Sequence, residues 1–344
     1  MNLLINRSRR RFKISVRVLR TLFSLLLMAV TLVSCNPHPS TTASKTESTP
    51  EETIENRLKI ITTIFPHYDF VRAVVGEYAD VTMLLPPGVE THSYDPTPAD
   101  IIAINESDLF IYTGADMEAW AESILQGVSN ENLRVVALAE DIDQHHDDAH
   151  HDHEDDSYEY SDATHIHIHE LDPHIWTSPV IAATLVDRIL SAVCELDPEN
   201  EQYYINNADA YKVELKQLDA EFRNIVETSK RKEIFFGDRF ALQYFADEYG
   251  LEIHAAFDSC SAESEPSAST ITSMINEIIK KDIPVIFYAE LNDPKIARSL
   301  SEATGAEMLL FHSCHNVTKE EFSDGVTYID LMRKNAENLR KGLN

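Results

Sequence analysis

The sequence predicts an α/β fold: two α/β lobes with parallel sheets, joined by a long rigid helix. Three observations predict it. Short β-branched and aromatic runs alternate with helical stretches on both sides of the chain's middle, the pattern of a sheet covered by helices on both faces. Between those regions Ala208, Tyr211, Leu215, Leu218, Phe222 and Ile225 recur at spacings of three and four, which makes one apolar stripe along a single helix. The chain has 344 residues, enough for two domains of ordinary size.

The elements follow in order. "LKIITTIF" (58–65) is a β-branched run ending at Pro66, a buried strand. "YDFVRAVVG" begins a helix that stops at Gly76, and "DVTMLLPPG" (80–88) is a second strand and a turn. "TPADIIAINES" (97–107) opens with a Thr-Pro helix start, and "DLFIYTG" (108–114) is a third strand. Residues 140–172 contain no Lys or Arg and are crowded with Asp, Glu and His, so they read as an insertion or long surface loop. A helix from roughly Glu199 to Glu227 would be about 40 Å long at 1.5 Å per residue.

A second alternating unit begins at "EIFFG" (233–237). The helix "FALQYFADEYG" (240–250), the strand "LEIHAAF" (251–257) and the helix "SASTITSMINEIIKKD" (267–282) follow. Then come the strand "PVIFYAE" (284–290), a helix through "KIARSLSEATG", the strand "EMLLFH" (307–312) and a final helix. The lobes are expected over 57–178 and 232–344, with linking helices over 179–231.

The N-terminus reads as an export signal rather than as fold. Seven Lys and Arg residues precede "TLFSLLLMAVTLVS" (21–34), which is apolar but short for a membrane span. Leu32-Val33-Ser34-Cys35 resembles a bacterial lipoprotein cleavage box, with residues 1–35 the signal peptide and Cys35 the lipidated first residue. Residues 36–56 are rich in Ser, Thr, Pro and Glu and read as a flexible tether. The expected place is the outer face of a cell membrane or the periplasm. Three cysteines remain. Cys194 lies in an apolar helical run, whereas Cys260 and Cys314 lie in loops and are the candidates for a disulfide.

The net charge of −29 with His neutral argues against nucleic acid, because a phosphate-binding face needs clustered Lys and Arg. It favours cationic ligands. In open α/β sheets ligands bind beyond the carboxyl ends of the strands. That rule selects His67 after the first strand, His92 in "PPGVETHSYDPTP" after the second, Asp238 after "EIFFG" and His312 at the end of "MLLFH". His315 lies close to His312, and the sequence does not say which of the two faces solvent. His254, inside a strand, reads as structural. His174 is marked by its surroundings: Asp172 can accept from its ring and Trp176 can exclude water.

"LLPPGVETHSYDPTPADI", "DLFIYTGADMEAW", "LDPHIWTSP" and the long helix resemble the metal-binding lipoproteins of ABC importers for zinc and manganese, over roughly residues 58–340. The resemblance implies two lobes joined by a long helix, a metal ion held between them, and delivery of that ion to a membrane permease. It implies that His92 and His174 are ligands. The family's third ligand falls after the first strand of the second lobe, where this chain reads "FFGDRF", with Gly237 at the expected position and then Asp238. The fourth falls on or near His312. The expected ligands are therefore His92, His174 and His312, with either His67 or Asp238 completing them. Cys314 is a further soft donor if it is reduced. A set rich in imidazoles suits Zn2+; more carboxylates would favour Mn2+.

His145, His146, His150, His151, His153, His165, His167 and His169 fill the acidic insertion. They have no fixed spacing, and members of the family that take up zinc often carry such a tract. It reads as a loose metal gatherer leading into His174. The chain carries no H-E-x-x-H pair and no G-x-S-x-G motif. A receptor without turnover, a monomer, is therefore expected over a metallohydrolase. A manganese receptor and a metal-buffering surface adhesin are the alternatives.

Overall fold

The computed structural model describes residues 57–91, 94–140, 142, 172–257 and 266–344. The signal and tether expected over 1–56, the histidine tract, His92, Cys35 and Cys260 lie outside the described residues. No helix among the described residues is long and apolar enough to cross a membrane.

The first sheet holds β1 (Leu58–Thr62), β2 (Ala79–Met83), β3 (Leu109–Tyr112) and β4 (Arg134–Ala137), in the order β2-β1-β3-β4. The second holds β5 (Glu233–Phe236), β6 (Glu252–Ala255), β7 (Val285–Tyr288) and β8 (Glu307–Leu310), in the order β6-β5-β7-β8. Every pairing is parallel, so the two lobes repeat one topology. In each, the first strand is flanked by the second and third, which puts the crevice between them at its carboxyl end.

Helices connect the strands. In the first lobe they are α1 (Phe65–Val75), α2 (Pro98–Asn105) and α3 (Ala119–Leu125). The Thr-Pro start of α2 is a capping box: the Thr97 hydroxyl accepts from Asp100 N–H, and the Asp100 carboxylate accepts from Thr97 N–H. Two helices link the lobes, α4 (Pro179–Leu196) and α5 (Glu201–Thr228). All six residues of the expected stripe are buried on α5. The helix starts two residues later than expected because Pro198–Asn200 forms a 3-10 turn. The second lobe adds α6 (Gln243–Tyr249), α7 (Ala268–Lys281), α8 (Lys295–Thr304), α9 (Lys319–Asp324) and α10 (Tyr328–Gly342).

One apolar core runs unbroken from Ile60 and Phe70 in the first lobe, through Leu215 and Phe222 on α5, to Phe287 and Leu339 in the second. The lobes also share polar stitches. Asp69 on α1 accepts from Tyr211 Oη on α5 at 3.1 Å and from the Tyr328 backbone N–H at 2.9 Å. The loop after β8 is tied to the first lobe: Gly88 N–H donates to Val317 O at 2.8 Å, and Asn316 Nδ2 donates to Pro86 O and Val89 O. The carboxyl ends of the two sheets are thus held face to face at a seam.

Candidate metal site

Gly237 ends β5, and its lack of a side chain has a packing cause. A Cβ there would lie 2.5 Å from the Ala297 Cα, inside contact distance of the α8 backbone. No ligand can project from 237. Asp238, next in line, is turned to structural use: its Oδ1 accepts from Arg239 N–H at 2.8 Å and its Oδ2 from Ala289 N–H at 3.4 Å. It thereby ties the loop after β5 to the loop after β7. Burial raises its carboxyl above the ordinary range, and the nearby Glu290 adds to this.

His174 precedes the 3-10 turn Ile175–Thr177 and is 1% exposed. Asp172 Oδ1 accepts from its backbone N–H at 3.0 Å and is in close contact with its Nδ1. A carboxylate on Nδ1 is the partner that orients a metal-binding histidine to ligate through Nε2. Burial works against the Asp172 charge, but the hydrogen bond and charge of His174 hold its pKa below the usual value.

Trp176 is fully buried and anchors the seam: its Nε1–H donates to Ser313 O at 2.9 Å, and its carbonyl accepts from Tyr328 Oη at 2.7 Å. Three imidazoles meet its ring edge-on: His315 at 5.2 Å, His174 at 5.5 Å and His67 at 6.0 Å between centroids. His174 and His315 are 4.4 Å apart. The structure therefore brings His174 together with His315, two residues into the loop from Ser313.

The hydrogen-bond network separates His315 from His312. Ser313 Oγ–H donates to Glu290 Oε1 at 2.5 Å, and Ser313 N–H donates to Glu290 Oε2 at 2.8 Å. With its proton committed, Ser313 Oγ can only accept from His315 Nδ1, which it touches closely. The His315 Nε2, on the far side of the ring, is shut off from solvent. In His312 the assignment is reversed. Its Nδ1 accepts from Cys314 N–H at 2.9 Å, and its buried Nε2 has no hydrogen-bond partner among the described residues. Asn335 also clamps the His312 backbone, accepting from its N–H and donating to its carbonyl, both at 2.7 Å.

His67 on α1 is completely buried, and burial pushes its pKa down to about 3, so the ring is neutral. Its Nδ1 lies 3.4 Å from Thr63 Oγ1, which donates to Glu118 Oε1 at 2.6 Å. Its Nε2 has no hydrogen-bond partner among the described residues. No three of His67, His174, His312, His315 and Asp238 form a trio with ligand atoms within 4.8 Å of one another among the described residues. A cleft opens beside His315, walled by Glu90 and Thr91 of the first lobe and by Arg239 and Glu290 of the second.

Cys314 is a free thiol, completely buried in the core that spans the lobes, and Cys260, its expected partner, lies outside the described residues. Burial holds the thiol pKa well above its ordinary value. Cys194 is free and half-buried.

The model of the family described as "Zinc-uptake complex component A periplasmic" (ZnuA) matches residues 60–342. The high-affinity zinc uptake system protein ZnuA of Bacillus subtilis (strain 168) is 31% identical over 288 residues, which cover 84% of this chain and 88% of that one. The zinc-binding protein AdcA of Streptococcus pyogenes is 29% identical over 294 residues, and the chain spans 56% of its length. The crystal structure of the metal-dependent lipoprotein YcdH of Bacillus subtilis is similar with a TM-score of 0.69 at 30% identity, covering 83% of this chain and 99% of that one. A match over nearly all the described residues, on two parallel-sheet lobes joined by a long helix, makes this chain a member of the zinc-uptake complex component A (ZnuA) family.

Proposed function

We propose that the chain is an extracytoplasmic receptor that captures zinc in the seam between its lobes and hands it to an ABC permease, without chemical turnover. The observation that carries this reading is the meeting of His174 and His315 on Trp176, at 4.4 Å between rings. Each ring has its Nδ1 held by an oxygen, the arrangement that turns Nε2 toward a borderline-soft ion. His92 joins them as the ligand of the first lobe. His315 takes the part that the strand pattern gave to His312, and His67 is the remaining imidazole of the group around Trp176. Asp238 and Cys314 serve the fold. A nitrogen-rich set favours zinc over manganese.

Cys35 anchors the mature chain by lipid, residues 36–56 give it reach, and the histidines of 145–169 gather ions loosely. Competition against a chelator tests the ligand set. His174→Ala combined with His315→Ala should abolish tight zinc binding, and His312→Ala should spare it. Undiminished binding in the double variant would remove the site from the seam. Loss in His312→Ala alone, with a normal melting curve, would return the third ligand to residue 312.

A further inference from the structure

A second group of metal-binding side chains lies at the other end of the second sheet. Glu233 opens β5 and Glu252 opens β6, and the two are in register. Parallel neighbours in register point to one face, and His254, two residues along β6, joins them there. Helix α7 contributes Glu277 and Lys281 to the same face. One ligand atom each from Glu233, Glu252 and His254 lie within 4.8 Å of one another, and no other trio among the described residues does this.

The imidazole is aimed. It stacks flat on Phe235, with centroids 4.4 Å apart and planes at 6°. Its Nδ1 lies 3.2 Å from a Glu277 oxygen, the carboxylate that fixes the proton of a metal-binding histidine. Its Nε2 lies 3.2 Å from Glu252 Oε1, yet that atom is shut off from solvent and has no hydrogen-bond partner among the described residues. A nitrogen and an oxygen at this ion-pair distance, without hydrogen-bond geometry, also have about the separation of two ligands on one tetrahedral ion, about 3.4 Å for bonds of about 2.0–2.1 Å.

We infer that Glu233, Glu252 and His254 form a second divalent-cation site, of mixed imidazole and carboxylate type suited to zinc, separate from the seam. Lys281 is its built-in competitor: the ammonium pairs with Glu233 Oε1 at 2.5 Å. An entering ion displaces that ammonium into solvent and takes its place on the carboxylate. The site therefore fills after the seam does and empties first.

The test follows the ring of His254 by NMR in the whole protein while zinc alone is added, a readout blind to ions held by the histidine tract. The His254 signal should shift in a saturable manner. In Lys281→Met the shift should come at about tenfold lower zinc, because a like charge beside the ion is gone. In Glu252→Gln, a change at an exposed position, it should need about tenfold more or vanish. A His254 signal that ignores zinc, or one that titrates identically in all three proteins, overturns the assignment.

Discussion

His174 and His254 are presented alike and placed in opposite surroundings. Each has a carboxylate at Nδ1, Asp172 for one and Glu277 for the other. Each is braced by an aromatic ring, Trp176 edge-on or Phe235 face-on. But His174 is 1% exposed and lies where loops of both lobes converge, whereas the His254 side chain is 20% exposed on the edge strand of one sheet. Charges act more strongly where water is excluded. At the proposed sites, an ion in the seam would touch elements of both lobes, whereas an ion at the sheet edge would touch one lobe only. The difference teaches that the residue types set which metals can bind, while burial and the number of elements recruited set whether binding is tight and whether a partner can sense it.

The largest expected effect concerns the buried support that only the seam possesses. Glu118 is fully enclosed and accepts from Thr63 Oγ1, from the Thr113 hydroxyl and backbone N–H, and from Gly114 N–H. Burial raises its pKa from 4.5 to about 7 despite these bonds. A carboxyl raised in the folded state contributes stability that is present below pH 4.5 and lost as pH rises through about 7, because the fold must then hold a buried charge. The shift corresponds to about 3 kcal/mol. Glu118→Gln cannot ionise, so denaturant unfolding at pH 4.5 and pH 8 should show the gap between wild type and variant change by about 3 kcal/mol in favour of the variant at the higher pH. A gap that is the same at both pH values would mean that Glu118 is charged throughout.

A smaller effect separates the outer carboxylates. Asp172→Ala should weaken zinc at the seam about 10–100-fold, the usual cost of losing the partner of a ligating histidine, and leave the zinc response of His254 untouched. Equal losses at both places would mean that the variant damaged the fold rather than the orientation of one ring.

The parts that were legible in the sequence are those governed by local rules. The stripe on α5 follows from periodicity alone, and the Thr97 cap of α2 from the residues beside it. Short elements under less pressure escaped. The four-residue edge strand β4 and the seven-residue α3 lie in 115–140, where no long periodic run marks them. His312 and His315 could not be told apart, because the difference rests on Asn335 and Glu290, each more than twenty residues away along the chain. Gly237 reads as a missing ligand until the approach of Ala297 is seen. His254 was read as structural for a similar reason: the register that sets Glu233 beside Glu252 is a pairing between strands.

The finest distinction concerns the aromatic braces. Phe235 offers His254 a surface, whereas Trp176 also makes a bond, from Nε1–H to Ser313 O. Trp176→Phe keeps an edge for the histidines but leaves that buried carbonyl without its donor, a cost of about 1–2 kcal/mol in stability. Ser313 is also the residue that accepts from His315 Nδ1. The same substitution should therefore loosen the ring's aim and weaken zinc at the seam severalfold, measured by chelator competition beside thermal unfolding. If stability falls and zinc affinity does not, Trp176 serves only to hold the lobes together, and His315 takes its orientation from Glu290 and Ser313 alone.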